Sequence, residues 1–292
     1  MNNPFTGAGV ALVTPFHEDH SIDFDALKKL VRYQIDNGTD FLVVQGTTGE
    51  SPVLSWEEKL AVLKTVQEEN DGALKIVFGV GGNDSVKIAE TLKKVPSGVD
   101  GILSVSPYYN KPTQEGIYQH YKYIASSTVL PIILYNVPGR TGSNVSAETT
   151  LRLAEIDNIV AMKEASGDLG QIMDIVNNKP EGFDVLSGDD AIVVPLMSIG
   201  VSGVISVSAN AYPKVFSDMV HEASIGNYSL ASKKHYELHN ITKMLFAEGN
   251  PGGVKVALEE IGIMKAFMRR PLHPVSEGLK SDIIKETKRI LG

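Results

Sequence analysis

The sequence has no cysteine. That excludes disulfides, thiolate zinc centres, iron–sulfur clusters and a cysteine nucleophile. It also lacks a basic run, and its formal net charge is −8. Neutralising phosphates takes clustered Lys and Arg, so no nucleic-acid partner is expected. The first residues, Met-Asn-Asn-Pro-Phe, hold neither a basic n-region nor an apolar h-region, so no secretory signal is read there. Residues Ala191 to Tyr212 carry no charge, but Pro195, Gly200, Gly203 and several serines interrupt them. A buried helix followed by a buried strand fits that stretch better than a membrane span. A soluble, cytoplasmic chain is the expectation.

What is present is a rhythm. Apolar runs rich in Val, Ile and Leu occur at Gly7–Pro15, Phe41–Gly46, Ile76–Gly81, Gly101–Ser106, Pro131–Val137, Ile159–Ala165, Phe183–Gly188 and Gly203–Ser208. Near-continuous apolarity marks strands covered on both faces. Segments of helical period separate them: Asp25–Asn37, Ser55–Glu69, Asp84–Lys94, Gln114–Ser127, Ser146–Ile156, Leu169–Asn177, Ala191–Ile199 and Pro213–Ile225. Ser55 and Glu58 have the spacing of a capping box. Strand–helix alternation predicts a parallel sheet, and eight units close naturally into a (β/α)8 TIM barrel. The 292 residues suit one such barrel of about 250 residues with an extension. The open doubly wound sheet is the alternative, but Gly79-Val-Gly-Gly82 lacks the spacing of a dinucleotide fingerprint. The barrel is expected over residues 1–226. A C-terminal helical extension is expected over 227–292, with helices at Ser229–Phe246, Val254–Phe267 and Ser276–Leu291.

Catalytic groups of such barrels gather at the C-terminal strand ends. Lys163 lies in the apolar run Ile159-Val-Ala-Met-Lys-Glu-Ala165. Alternation puts Ala161, Lys163 and Ala165 on one face, and if that face is interior the alanines leave room around the amine. Desolvation disfavours a charged amine; enzymes use it to bring a lysine from ~10.4 toward roughly 7–8, where neutral amine attacks carbonyls. The alternative is a lysine at the strand's outer end, reaching water or pairing with Glu164. Tyr135 ends the preceding strand, either to hydrogen-bond a Schiff-base intermediate or simply packed in the core. Thr47 and Thr48, between Gly46 and Gly49, offer hydroxyls and N–H groups suited to a carboxylate, or form an ordinary strand–helix turn. No Gly-Lys-Ser/Thr follows, so the turn is not a Walker loop. His17-Glu-Asp-His20 falls in the loop after strand one with no third ligand set, and the pair His235 and His239 lacks the H-E-x-x-H order, so neither is read as a metal site.

Six segments carry a resemblance: Gly46-Thr-Thr-Gly-Glu-Ser51, Pro107-Tyr-Tyr-Asn-Lys-Pro112, Tyr135-Asn-Val-Pro-Gly-Arg-Thr141, Lys163-Glu-Ala, Leu186-Ser-Gly-Asp-Asp190 and Gly203-Val-Ile-Ser-Val207. With them the chain resembles the dihydrodipicolinate synthase family, within the N-acetylneuraminate lyase superfamily, along nearly its whole length. The resemblance implies condensation of pyruvate with aspartate semialdehyde through a Schiff base on Lys163, on the path to lysine. It implies that Thr48 binds the pyruvate carboxylate. Thr47, Tyr135 and a neighbouring subunit's copy of Tyr109 relay protons, and Arg140 pairs with the acceptor's carboxylate. Gly188, Asp189 and the Ile205 main chain shape the pocket. It further implies no metal or organic cofactor, and a homotetramer built as a dimer of dimers.

Some members are inhibited by lysine. Here Asn83 and Ser51 fit that site, but Lys87 stands where inhibited members carry glutamate, and Pro52 and Trp56 also occupy it. Weak or absent feedback is therefore expected. Sugar-acid aldolases share the lysine and tyrosine; Arg140 is what favours a compact carboxylate-bearing acceptor. A metal-dependent barrel hydrolase would need a His-x-His pair where strand one reads Val13-Thr-Pro-Phe16. A catalytically silent barrel would not need the lysine, tyrosine and threonines together. Gly252 and Gly253 are expected to loosen the chain after Asn250-Pro251.

Overall fold

A computed structural model describes residues 4–292. The signal-sequence reading of Met1 to Asn3 lies outside the described residues. Eight parallel strands close on themselves in chain order, β1 pairing with both β2 and β8. They are β1 (Gly7–Ala11), β2 (Phe41–Val44), β3 (Lys75–Gly79), β4 (Gly101–Val105), β5 (Ile132–Asn136), β6 (Ile159–Glu164), β7 (Asp184–Ser187) and β8 (Gly203–Ser206). The expected (β/α)8 barrel is the fold observed.

Around the barrel run α1 (Phe24–Asp36), α2 (Trp56–Asn70), α3 (Ser85–Leu92), α4 (Gln114–Ala125), a short α5 (Pro138–Thr141), α6 (Ala147–Ala154), α7 (Leu169–Asn178), α8 (Val193–Ser198) and α9 (Pro213–Ser224). Their starts are written locally. The capping box at Ser55 and Glu58 forms as expected, and Asp23, Thr113, Ser146 and Asp168 cap their helices by accepting backbone N–H groups. After the barrel come α10 (Tyr228–Phe246), α11 (Gly252–Glu260) and α12 (Glu277–Leu291).

Two apolar clusters result. One fills the barrel interior and includes Phe41, Val77, Leu103, Ile133, Ala161 and Ile205. The other lies between the strands and the surrounding helices. No helix among the described residues is long and apolar enough to cross a membrane; Ala191 to Tyr212 folds as α8, β8 and two single turns.

Two expectations need correction. The helix read over Val254–Phe267 stops at Glu260, where Gly262 takes a left-handed φ of 74° just past its end. Glycine adopts that conformation without cost and ends helices this way. Nor do Gly252 and Gly253 loosen the chain. Both are buried at the start of α11. A Cβ on Gly253 would sit 2.7 Å from Leu245 Cα, so the absent side chain lets α11 lie close against α10.

Candidate active site

β5 and β6 carry the centre of the site. Tyr135 and Lys163 are register partners on these neighbouring strands. Below them the register shifts, Ile132 facing Ile159 but Ile133 facing Ala161. Such a bulge re-aims side chains, and here Ala161 enters the barrel interior beside Ile133 and Tyr135. Lys163, two residues on, shares that face. It is only 6% exposed. Its ammonium stands 4.3 Å from the centroid of the Tyr135 ring.

The alternative reading of Lys163 as a partner of Glu164 does not hold. Glu164 points to the opposite face, where Asn136 and Gln171 donate to its carboxylate at 3.0 to 3.1 Å and the Ser166 N–H at 2.6 Å. Among the described residues, Lys163 Nζ has no hydrogen-bond or ion-pair partner. Buried ammonium groups without partners are rare in folded proteins. The exception here lies against Tyr135, at the rim of the barrel.

A cavity of about 510 Å³ opens at this rim, lined by Thr47, Tyr108, Tyr135, Val137, Arg140 and Thr141 among others. Thr47 and Thr48 form a single helical turn with Gly49 directly after β2. Thr48 is buried behind Thr47, and its Oγ1 accepts a 3.0 Å hydrogen bond from Asn250 Nδ2. Gly188, past the end of β7, lies against the lysine. A Cβ there would come within 3.1 Å of Lys163 Cε and 2.6 Å of Ala165 Cβ. Glycine keeps that space open. Ile205 is buried in the barrel interior with Tyr135.

Two of the expected residues sit apart from this group. The Asp189 carboxylate is turned to its own loop, accepting from the Ala191 N–H at 2.9 Å. Tyr109 is 87% exposed, projecting from the rim rather than into the cavity. Its backbone is held in a left-handed φ of 74°, with the Asn110 N–H closing a three-residue turn onto the Tyr108 carbonyl and the Tyr109 N–H donating to Thr141. Such a turn costs energy in a non-glycine residue, and the fold spends it on presenting this ring outward. Arg140 is exposed on α5 at the cavity mouth, and its guanidinium has no partner among the described residues.

Sequence reasoning missed what lies behind the threonine turn. Glu50, the last residue of Gly46-Thr-Thr-Gly-Glu50, is buried against Lys255 of α11, and both side chains are fully enclosed. Lys255 Nζ donates to Glu50 at 2.5 Å and to the Thr14 and Phe267 carbonyls at 2.8 Å. Burial pulls its pKa down to about 8, with Glu50 opposing that shift. Three acceptors need three protons, so this lysine is the charged form. The Arg269 N–H completes the Glu50 carboxylate at 3.0 Å. The signal was available: Lys255 lies in Val254-Lys-Val-Ala-Leu258, as anomalous as Lys163.

A family model described as the dihydrodipicolinate synthetase family matches residues 4–290. The chain is 54% identical to the 4-hydroxy-tetrahydrodipicolinate synthase of Parabacteroides distasonis over 270 residues, covering 92% of this chain and 91% of that one. It superposes with a TM-score of 0.95 and 41% identity on the chloride-inhibited dihydrodipicolinate synthase of Acinetobacter baumannii complexed with pyruvate, over 98% of each chain. The enzyme of Cyanidioschyzon merolae, solved with lysine bound, gives a TM-score of 0.94 at 36% identity over 99% of each chain.

Proposed function

This chain belongs to the dihydrodipicolinate synthetase family, and on that premise we propose that it condenses pyruvate with L-aspartate 4-semialdehyde through a Schiff base on Lys163. It is a lyase of the class I aldolase type, and the product is 4-hydroxy-tetrahydrodipicolinate. The observation that carries the residue assignment is a buried lysine without a polar partner, set against Tyr135, whose side chain borders the cavity.

The chemistry follows from the groups. Neutral Lys163 Nζ adds to the pyruvate ketone, and water leaves to give an iminium. Its positive nitrogen withdraws electrons from the adjacent bond, so a methyl proton departs and an enamine forms. The enamine carbon attacks the aldehyde, and the new alkoxide takes up a proton. The acceptor's own amine then adds to the iminium carbon, closes the ring and expels Lys163. The iminium is itself the electron sink, so these steps call for no metal or organic cofactor. Tyr135 and Thr47 pass the protons, and Thr48 receives the pyruvate carboxylate. Gly188, Asp189 and the main chain at Ile205 bound the pocket. Arg140, with its guanidinium free at the mouth, takes the acceptor's carboxylate in a planar fork. The exposed Tyr109 completes the relay in a neighbouring subunit of a homotetramer.

Mixing the enzyme with pyruvate and aspartate semialdehyde is expected to consume both, whereas N-acetylneuraminate is left intact. Removing a charged hydrogen bond costs about 1.5–3 kcal/mol, so Arg140→Ala raises the KM for the aldehyde by about tenfold or more. The pyruvate KM stays within about twofold. Pyruvate released from N-acetylneuraminate, with no consumption of the semialdehyde, contradicts the assignment and favours the sugar-acid aldolases.

A further inference from the structure

Thr48 has one hydroxyl proton to give. Its Oγ1 is buried, and one of its lone pairs is occupied by the Nδ2 of Asn250, 202 residues away in sequence. A hydroxyl carries one donor and two acceptor sites. With Asn250 donating to it, the proton is directed away from Asn250. We propose that Asn250 is a positioning residue: by donating to Thr48 it fixes the rotor so that the hydroxyl proton points at an incoming α-keto acid carboxylate.

The neighbouring contacts hold the segment that starts at Asn250, whose own Oδ1 is buried without a partner among the described residues, so its amide is anchored through Thr48. Five residues on, Lys255 locks α11 to Glu50, the residue that closes the threonine turn. Lys255 also donates to the Thr14 carbonyl, and Thr14 Oγ1 donates to the Gly49 carbonyl at 2.7 Å inside the same turn. The turn is thus tied at Thr48, Gly49 and Glu50, directly or through Thr14, to the segment that starts at Asn250. Gly253 lets that segment lie against α10. A freely rotating hydroxyl would have to be ordered when the carboxylate binds; here the ordering is built in beforehand, which is the general route by which preorganisation improves binding. The C-terminal segment therefore takes part in capturing the keto acid although, in this reading, none of its side chains touches the reacting atoms.

This inference rests on the pyruvate reading above, and the test separates the two. Asn250→Leu removes the donor at similar volume. It is expected to raise the pyruvate KM by about tenfold while kcat stays within about twofold. In a Thr48→Val background the same change should add nothing, because interaction energy appears only between coupled residues. If Asn250→Leu does not fold, Asn250→Asp serves: it offers Thr48 an acceptor in place of the donor and is expected to give the same pattern. An unchanged KM, or an equal rise in both backgrounds, overturns the inference. Borohydride trapping of pyruvate by the unaltered enzyme is run alongside. Failure to trap there removes the pyruvate reading and this inference with it; trapping with an unchanged variant KM removes this inference alone.

Discussion

Lys59 and Lys87 face one pocket of about 310 Å³, lined also by Ser51, Trp56, Asn83 and Tyr108. Lys87 has a distant partner in Asp84, at 3.8 Å and largely exposed. Lys59 Nζ has no partner among the described residues, and burial lowers its pKa. A free lysine molecule brings an ammonium group to a place that already holds two. Like charges repel, and Asp84 on the same wall offsets this only in part, so about 1 mM lysine is expected to leave the rate nearly unchanged. Half-inhibition at or below that concentration contradicts this reading. At this same scale Lys163 and Lys255 show how far residue identity alone can be read. Each is a lysine in an apolar run, and each is buried. Only the contacts separate them, since Lys255 meets three acceptors and Lys163 none. Those acceptors are separated from Lys255 by 241, 205 and 12 positions, so no local pattern could assign the two lysines to different tasks.

At the scale of elements, one buried histidine ties α4 to the start of α3. His120 Nδ1 lies 2.8 Å from Ser85 Oγ at the start of α3, and its ring packs edge-on against Tyr121. Burial lowers its pKa from 6.5 to about 4. The folded protein thus holds a neutral imidazole while the unfolded chain takes up a proton first. Stability from this group is whole above pH 6.5 and is lost as the pH falls toward 4, by on the order of 3 kcal/mol at most. Urea unfolding at pH 7 and pH 4.5 should show a smaller loss for His120→Gln than for the parent; equal losses would exclude the histidine as the source. All eight strands were legible, because each lies in an apolar run rich in Val, Ile or Leu. Most of their C-terminal ends were legible to within one or two residues, but that of β1 was not. The run from Gly7 suggested strand to Pro15, yet β1 stops at Ala11. Apolar composition continues into the loops that line the rim, so it does not show where pairing ends. α5 was missed for a related reason, since a single turn at Pro138–Thr141 is too short to show a period.

At the scale of the whole molecule, the barrel and the helices after it share one site. The threonine turn after β2 was legible from its glycines, but its support by Asn250 and Lys255 was not, because closure of the barrel brings those segments together. Tyr109, on a costly backbone turn and 87% exposed, gives the rim an aromatic hydroxyl that this chain's own cavity does not use. These features make sense around one covalent step at Lys163. Its most direct test is to reduce the enzyme with borohydride in the presence of pyruvate, digest it and map the adduct by mass. The account expects one reduced pyruvate adduct, on Lys163, absent from Lys163→Met. No adduct, or one on Lys59 or Lys255 instead, would contradict it.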